Sequence, residues 1–149
     1  ARIGERTDTK TTDVGGIGGT LAGNALSLAA MRATLGEVLT EAAFARMAAL
    51  AERFEQGVQG VIGSRVLPWH VVRLGCRLEY LFRPGRARTG AEAAAGQDEL
   101  LDPFIHLYLL NRGILMTPFH NMALMSPRTT AADVDRHTQV FAEMADELR

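Results

Sequence analysis

A glycine-rich turn near the start of the chain has the residue types that bind an anion. Gly18 and Gly19 allow close approach of the backbone, Thr20 adds a hydroxyl group, and Gly23 and Asn24 lead into an apolar stretch. Exposed N–H groups in such a turn, with the positive end of the following helix, favour an anion and most often a phosphate. An ordinary glycine-rich loop before a helix has similar residues, so this turn alone is a weak motif.

Lysine is the residue whose scarcity most restricts the possible chemistry. Lys10 is the single lysine of the sequence, and its neighbours are threonine and aspartate, which is typical of a surface segment. A reaction that needs a buried, placed amine must therefore use Lys10 or obtain the amine from outside these residues.

The other reactive side chains have simpler interpretations. His70, His106, His120 and His137 are too scattered for a metal site, and we predict none. Cys76 has no suitably spaced partner, so a buried, inert thiol is expected.

Two arginines flank Gly75. Arg73 and Arg77 could hold a substrate carboxylate, but ion pairs on the exposed face of a sheet are the simpler interpretation. The acids Asp98, Glu99 and Asp102 cluster where a helix is expected to begin, and there they stabilise the helix dipole.

Composition excludes several classes of partner. The net charge of −1 over 149 residues argues against nucleic acid and anionic membranes, and no stretch reaches transmembrane length. A single cysteine excludes an internal disulfide and suits a reducing cytoplasm.

The elements that would position these residues follow from periodicity. We predict an α+β fold in which a small antiparallel sheet is covered by helices. The first helix, over residues 25–35, is apolar on nearly every side and is expected to be buried. The second begins at Thr40 and Glu41 and should end near Gly57 or Gly60. The remaining predictions are strands over 66–73, 78–82, 113–116 and 121–126, a surface loop over 83–96, and helices over 99–111 and from Thr130 onward.

Beyond these patterns, an ordered series of segments resembles a known family. The turn at residues 19–24, the triplet at 73–75, the stretch at 109–116 and the helix start at 129–135 are similar to class III pyridoxal-phosphate-dependent aminotransferases. Within that class they look most like the glutamate-1-semialdehyde aminomutase branch. The resemblance covers nearly the whole chain and corresponds to the C-terminal third of such an enzyme. It implies that residues 1–36 end the large cofactor-binding domain and that residues 37–149 form the small C-terminal domain of a fold-type I enzyme.

The resemblance also implies roles for individual residues. Thr20 would donate to the phosphate of pyridoxal 5'-phosphate held mainly by the neighbouring subunit of a homodimer. Gly19 would permit that approach, and Asn24 would cap the following helix and brace the turn. His120 and Asn121 would lie in the loop nearest the substrate.

Two departures from the family pattern bear on function. The lysine that links covalently to the cofactor, and the aspartate that pairs with its pyridine nitrogen, belong to motifs absent from these residues. We therefore expect a C-terminal portion that lacks activity alone and needs the N-terminal part of the enzyme. No acid lies around residues 119–122, where the aminomutase branch tends to have one.

The expected activity is transfer of an amino group between an amino acid or amine and a keto acid. One alternative is a glutamate-1-semialdehyde-type 2,1-aminomutase. A second, from another class, is an interaction domain without catalytic activity.

Overall fold

The computed structural model describes residues 23–117 and 121–148, which divide into two compact units. The first unit extends to Val38 and the second begins at Leu39. This division lies close to the predicted boundary at residue 36. The assignment of the two units to domains of a larger enzyme stays a prediction.

The first unit is a helix followed by a wider turn. Helix α1 spans Ala25–Ala33 and continues as a π-helical turn over Thr34–Val38. The prediction that this helix is buried is wrong for the chain by itself, because none of its residues is buried and Leu26 is 80% exposed. An apolar pattern shows that a helix needs covering, but it does not show that the covering surface belongs to the same chain.

The second unit has the predicted α+β architecture. Its elements, in chain order, are α2 (Glu41–Ser64), β1 (His70–Leu74), β2 (Arg77–Leu81), α3 (Gly90–Ala94), α4 (Leu101–Leu110), β3 (Met122–Leu124) and α5 (Ala131–Glu147). Among the described residues the strands form one antiparallel sheet in the order β1-β2-β3, with Val71 opposite Tyr80 and Leu78 opposite Ala123. At the tight turn between β1 and β2, Gly75 has a φ of 59°, a conformation that favours glycine.

The core lies where α2 and α5 meet the sheet and α4. Its largest fully buried side chains are Tyr80, Phe141, Leu78, Ile105, Leu109, Met144, Val58 and Val140. Arg53 of α2 pairs with Asp135 of α5 at 2.6 Å, and Arg65 with Asp146 at 2.8 Å. The residue numbers of the paired side chains increase along both helices in the same direction, so α2 and α5 lie side by side and parallel.

Helix α2 is longer than its glycines suggest. The prediction that it ends near Gly57 or Gly60 is wrong, because the helix continues to Ser64. Gly57 lies where α5 approaches, and a Cβ atom there would be 2.5 Å from Oγ1 of Thr138. This glycine therefore permits close helix packing and does not end the helix.

The later segments are partly as predicted. The capping box that begins α5 is present, since Thr130 Oγ1 accepts from the N–H of Asp133 while Asp133 accepts from the N–H of Thr130. A strand at residues 113–116 was expected, but these residues form no strand and only the later segment joins the sheet, as β3. The predicted surface loop at 83–96 contains the short helix α3. In the part of the chain that the structure describes, no helix combines the length and apolarity needed to cross a bilayer.

Candidate functional site

The predicted phosphate-binding turn is described only at its end. Gly19 and Thr20 lie outside the described residues, whereas Asn24 is the N-cap of α1. Its Oδ1 accepts from the N–H of Ser27 at 3.0 Å, and its Nδ2 donates to Oγ of Ser27 at 2.9 Å. The expected capping by Asn24 is therefore confirmed, while its role towards a cofactor stays a prediction.

The start of α1 suits a negatively charged group. The first N–H groups of a helix have no partner within the helix, and the aligned peptide dipoles place partial positive charge there. No acidic side chain lies in the first turn of α1. The one described residue of the predicted cofactor-binding set, Asn24, thus lies at a helix start whose charge suits the phosphate of pyridoxal 5'-phosphate.

The second predicted site is the loop over residues 117–121, whose two ends are described. His120 lies outside the described residues. Thr117 donates through both its N–H (3.4 Å) and its hydroxyl group (3.2 Å) to the carbonyl oxygen of Met122. Asn121 is 4% exposed, its Nδ2 donates to Oδ1 of Asp102, and its carbonyl oxygen accepts from the N–H of Tyr80 at 3.3 Å.

Sequence reasoning did not identify the role of Asp102 in this cluster. We assigned this acid only to the helix dipole, and it does lie in the first turn of α4. Its partner Asn121 lies 19 residues further along the chain, a separation at which no helical or strand periodicity links two side chains. The sequence therefore has no periodic pattern from which the contact between Asp102 and Asn121 could be predicted.

Tyr80 forms the buried floor of the same cluster. Burial and then the negative charge of Asp102 raise the pKa of the Tyr80 hydroxyl group, which stays protonated. Among the described residues no hydrogen-bond partner reaches this hydroxyl group. A cavity of about 10 Å³ adjoins Tyr80, Asp102 and Asn121, and this is room for about one water molecule.

A larger apolar groove lies beside Thr117 and Met122. Its volume is about 580 Å³. The residues that line it are Phe54, Ile114, Leu115, Met116, Thr117, Met122, Ala123, Leu124, Met125, Thr129, Asp133, Val134 and His137. Of its four polar members, Thr117, Thr129 and Asp133 already hydrogen-bond within the protein. The fourth, His137, is buried, so the groove suits apolar surface better than a charged substrate.

His137 lies at the inner wall of this groove and is a packing residue. It is 3% exposed, and its ring lies 4.3 Å from Phe54 and stacks on Phe141. Burial lowers the pKa of His137 from 6.5 to about 3, because a charged imidazolium would lose its hydration there. The imidazole is therefore neutral at physiological pH.

The arginines beside Gly75 form ion pairs, as the simpler interpretation predicted. Arg73 Nε lies 2.6 Å from Oε2 of Glu55, and Arg77 Nη2 lies 2.7 Å from Oε2 of Glu79. Cys76 was expected to be buried but is partly exposed, since it lies in the turn between β1 and β2. Within residues 23–117 and 121–148 no group of three or more metal-ligating side chains comes together.

The relatives matched by sequence and those matched by structure are named as aminomutases or aminotransferases. No family model matches the chain. The chain is 32% identical over 130 residues to a glutamate-1-semialdehyde 2,1-aminomutase of Opitutus terrae. The matched segment covers 87% of this chain and 31% of that protein. A protein of the same name from Thermus thermophilus is 34% identical over 128 residues, or 84% of this chain and 30% of that one.

Solved structures extend the comparison. A glutamate-1-semialdehyde-aminomutase of Pseudomonas aeruginosa PAO1 superposes with a TM-score of 0.84 and 52% identity, over 90% of this chain and 30% of that one. A lysine-to-alanine variant of that enzyme, in complex with PMP, matches equally well. A β-phenylalanine aminotransferase of Variovorax paradoxus has a TM-score of 0.69 at 24% identity, over 89% of this chain and 30% of that chain, and shows the shared fold. The chain thus spans about 30% of the length of these relatives, in their C-terminal part.

Proposed function

We propose, from its homology to the C-terminal part of pyridoxal-phosphate-dependent aminotransferases and aminomutases, that this chain supplies the C-terminal portion of such an enzyme. The observation that carries the proposal is the 52% identity to the Pseudomonas aeruginosa enzyme across 90% of this chain. The active protein would be a class III, cytoplasmic homodimer, because the family resemblance implies a site shared between subunits and the single cysteine suits a reducing compartment.

The contribution of this chain to the site would be anion binding. Thr20 would donate its hydroxyl group and its N–H to the cofactor phosphate of the neighbouring subunit, Gly19 would permit the approach, and Asn24 would hold the helix start in place. The cofactor, when bound, would supply the carbonyl group and the electron-accepting ring that amino-group transfer requires. The covalent lysine would come from the part of the enzyme that these residues do not span.

The active protein would be either an aminomutase or an aminotransferase, and different observations favour each reaction. The relatives named above at 32–34% identity are called aminomutases, and this favours exchange of the amino and carbonyl groups within one molecule. In the sequence no acid lies at residues 119–122, where that branch tends to have one, and this favours transfer between an amino acid or amine and a separate keto acid. An aminomutase needs one substrate, whereas an aminotransferase turns over only when an amino donor and a keto acid are both present.

The test is a hybrid enzyme in which this chain replaces the homologous C-terminal part of the Pseudomonas aeruginosa protein. We expect the hybrid to bind pyridoxal 5'-phosphate and to turn over either the single substrate or the donor and acceptor pair. Thr20→Val should weaken cofactor binding about tenfold, since it removes a hydrogen bond to a charged group, and Thr20→Ser should not. A folded, dimeric hybrid that binds no cofactor would refute the proposal.

The chain alone provides the complementary measurement. Titration with pyridoxal 5'-phosphate should give no saturable visible absorption band that depends on a lysine. A band that is lost in Lys10→Ala would mean that the chain holds its own cofactor, and the proposed division of roles would then be wrong. An interaction domain without catalytic activity would leave both the chain and the hybrid without cofactor.

A further inference from the structure

Helix α4 is apolar on two faces, and only one of them lies in the core. The buried face consists of Ile105, Tyr108 and Leu109. The other face carries four exposed apolar side chains, which we call the outer stripe: Leu100 (82% exposed), Phe104 (37%), Leu107 (55%) and Leu110 (43%). A helix that is apolar on all sides is typical of the interior of a larger protein.

The outer stripe forms one continuous surface along the helix. At 3.6 residues per turn, positions 100, 104 and 107 lie within about 60° of one another around the helix axis. Position 110 lies close to 107, because residues three apart in a helix are neighbours on its surface. A contiguous apolar surface with polar residues beside it is typical of an interaction site, whereas scattered apolar side chains are not.

The exposed area of the outer stripe indicates the kind of partner. At about 150–250 Å² for a large apolar side chain, the exposed fractions leave roughly 300–550 Å² on this side. Interfaces between domains of one chain bury about 600–1,500 Å² in total, or about half of that on each side. A standard interface between separate proteins buries about 800 Å² on each partner. The stripe therefore fits an interface within one polypeptide better than an interface between two copies of the chain.

The relatives have further chain that could form such an interface. The match covers 31% of the Opitutus terrae protein, so more than two thirds of that protein lies outside it. The matched segment is the C-terminal part of these relatives, so most of the remainder precedes it. A part that is joined covalently has an effective concentration of about millimolar, and a modest apolar surface is then enough for stable docking.

We propose that the outer stripe of α4 docks against the N-terminal part of the same enzyme. This rests on the proposed function, under which that part is present in the active protein. Docking would remove the exposed apolar surface from water and fix the second unit against the part that carries the covalent lysine.

Thiol labelling of the chain alone and of the hybrid enzyme tests the docking. In a Cys76→Ser background, Leu107→Cys places a reporter thiol on the outer stripe, and Arg136→Cys places one at an exposed position of α5. Reaction with iodoacetamide is followed by mass spectrometry of the labelled peptides. In the hybrid, labelling at position 107 should be about tenfold slower than in the chain alone, and labelling at position 136 should be unchanged. Labelling at position 107 that is equally fast in both proteins would overturn the proposal.

A charge on the outer stripe tests the contact itself. Leu110→Lys should return labelling at position 107 of the hybrid to within about twofold of the rate in the chain alone, because burial of an ammonium group is unfavourable. Leu110→Met is the matched control, since it nearly conserves volume and should keep the protection. If Leu110→Lys keeps the protection as well, the stripe is not the contact and the proposal is wrong.

The same reporter separates the possible occupants and the two proposals. Protection at position 107 in the chain alone that grows with protein concentration would assign the stripe to a second copy and refute docking to the N-terminal part. A folded hybrid that protects position 107 but binds no cofactor refutes the proposed function and leaves the docking surface standing. A hybrid that binds cofactor while position 107 stays unprotected supports the proposed function and refutes the docking.

Discussion

Replacing Gly57 with alanine would disturb the closest approach between α2 and α5. The added Cβ atom would lie 2.5 Å from Oγ1 and 2.9 Å from Cγ2 of Thr138. Both Oγ1 and Cγ2 of Thr138 face the glycine, so every staggered χ1 rotamer leaves at least one of these atoms close to the added Cβ. Rotation would also break the hydrogen bond from Thr138 Oγ1 to the carbonyl oxygen of Val134, now 3.1 Å long.

Two opposing contributions determine the size of the effect. Alanine in a helix interior is about 0.5–1 kcal/mol more stable than glycine. Overpacking a close contact costs about 1–3 kcal/mol. The clash is the larger contribution, and we expect Gly57→Ala to lower the free energy of unfolding by about 1 kcal/mol.

Chemical denaturation followed by circular dichroism measures this change. Gly60→Ala is the matched control, because it lies in the same helix and its added Cβ would meet nothing within 4 Å. It should raise the free energy of unfolding by about 0.5–1 kcal/mol. Thr138→Ala should couple favourably with Gly57→Ala in a double-mutant cycle. If Gly57→Ala stabilises the chain as much as Gly60→Ala does, the close approach does not explain this glycine.

Three further perturbations test other parts of the structure. The free energy of unfolding should fall as the pH decreases from about 6.5 to about 3, because the unfolded state binds the proton that buried His137 excludes. The slope should approach about 1.4 kcal/mol per pH unit. His137→Phe should flatten this slope, and an unchanged slope would contradict the neutral imidazole. Asn24→Ala should cost α1 about 1 kcal/mol, seen as faster amide exchange at Ser27, whereas Asn24→Asp should retain protection. Gly75→Ala should destabilise the turn between β1 and β2 by about 1 kcal/mol, measured by thermal unfolding, because its φ of 59° strains any residue with a Cβ.

The elements of the second unit were largely predictable from local patterns. The Thr130 and Asp133 capping box, the apolar stripe of α5 and the alternation in β2 are short-range signals that the fold preserves. Gly57 was misread because glycine commonly ends helices, whereas the contact that requires it comes from Thr138 in another helix. Local composition carries no information about such a partner.

The candidate site was predictable only in part. The N-cap of α1 followed from Asn24 and its neighbours, because a cap and its helix are adjacent in sequence. The bond between Asp102 and Asn121 joins a helix to a loop across the fold and leaves no periodic trace. The roles of Gly19, Thr20 and His120 stay predictions, since these residues lie outside the described parts of the chain.

The side-by-side packing of α2 and α5 has a consequence during synthesis on the ribosome. Arg53 and Asp135 are 82 residues apart, and Arg65 and Asp146 are 81 residues apart. At about 5–20 residues per second, α2 would wait about 4–16 s for its partner helix to be made. During that interval the apolar stripe of α2, which includes Phe54 and Val58, has no α5 to cover it. Nascent chains that pause before α5 should therefore be the form most dependent on chaperones.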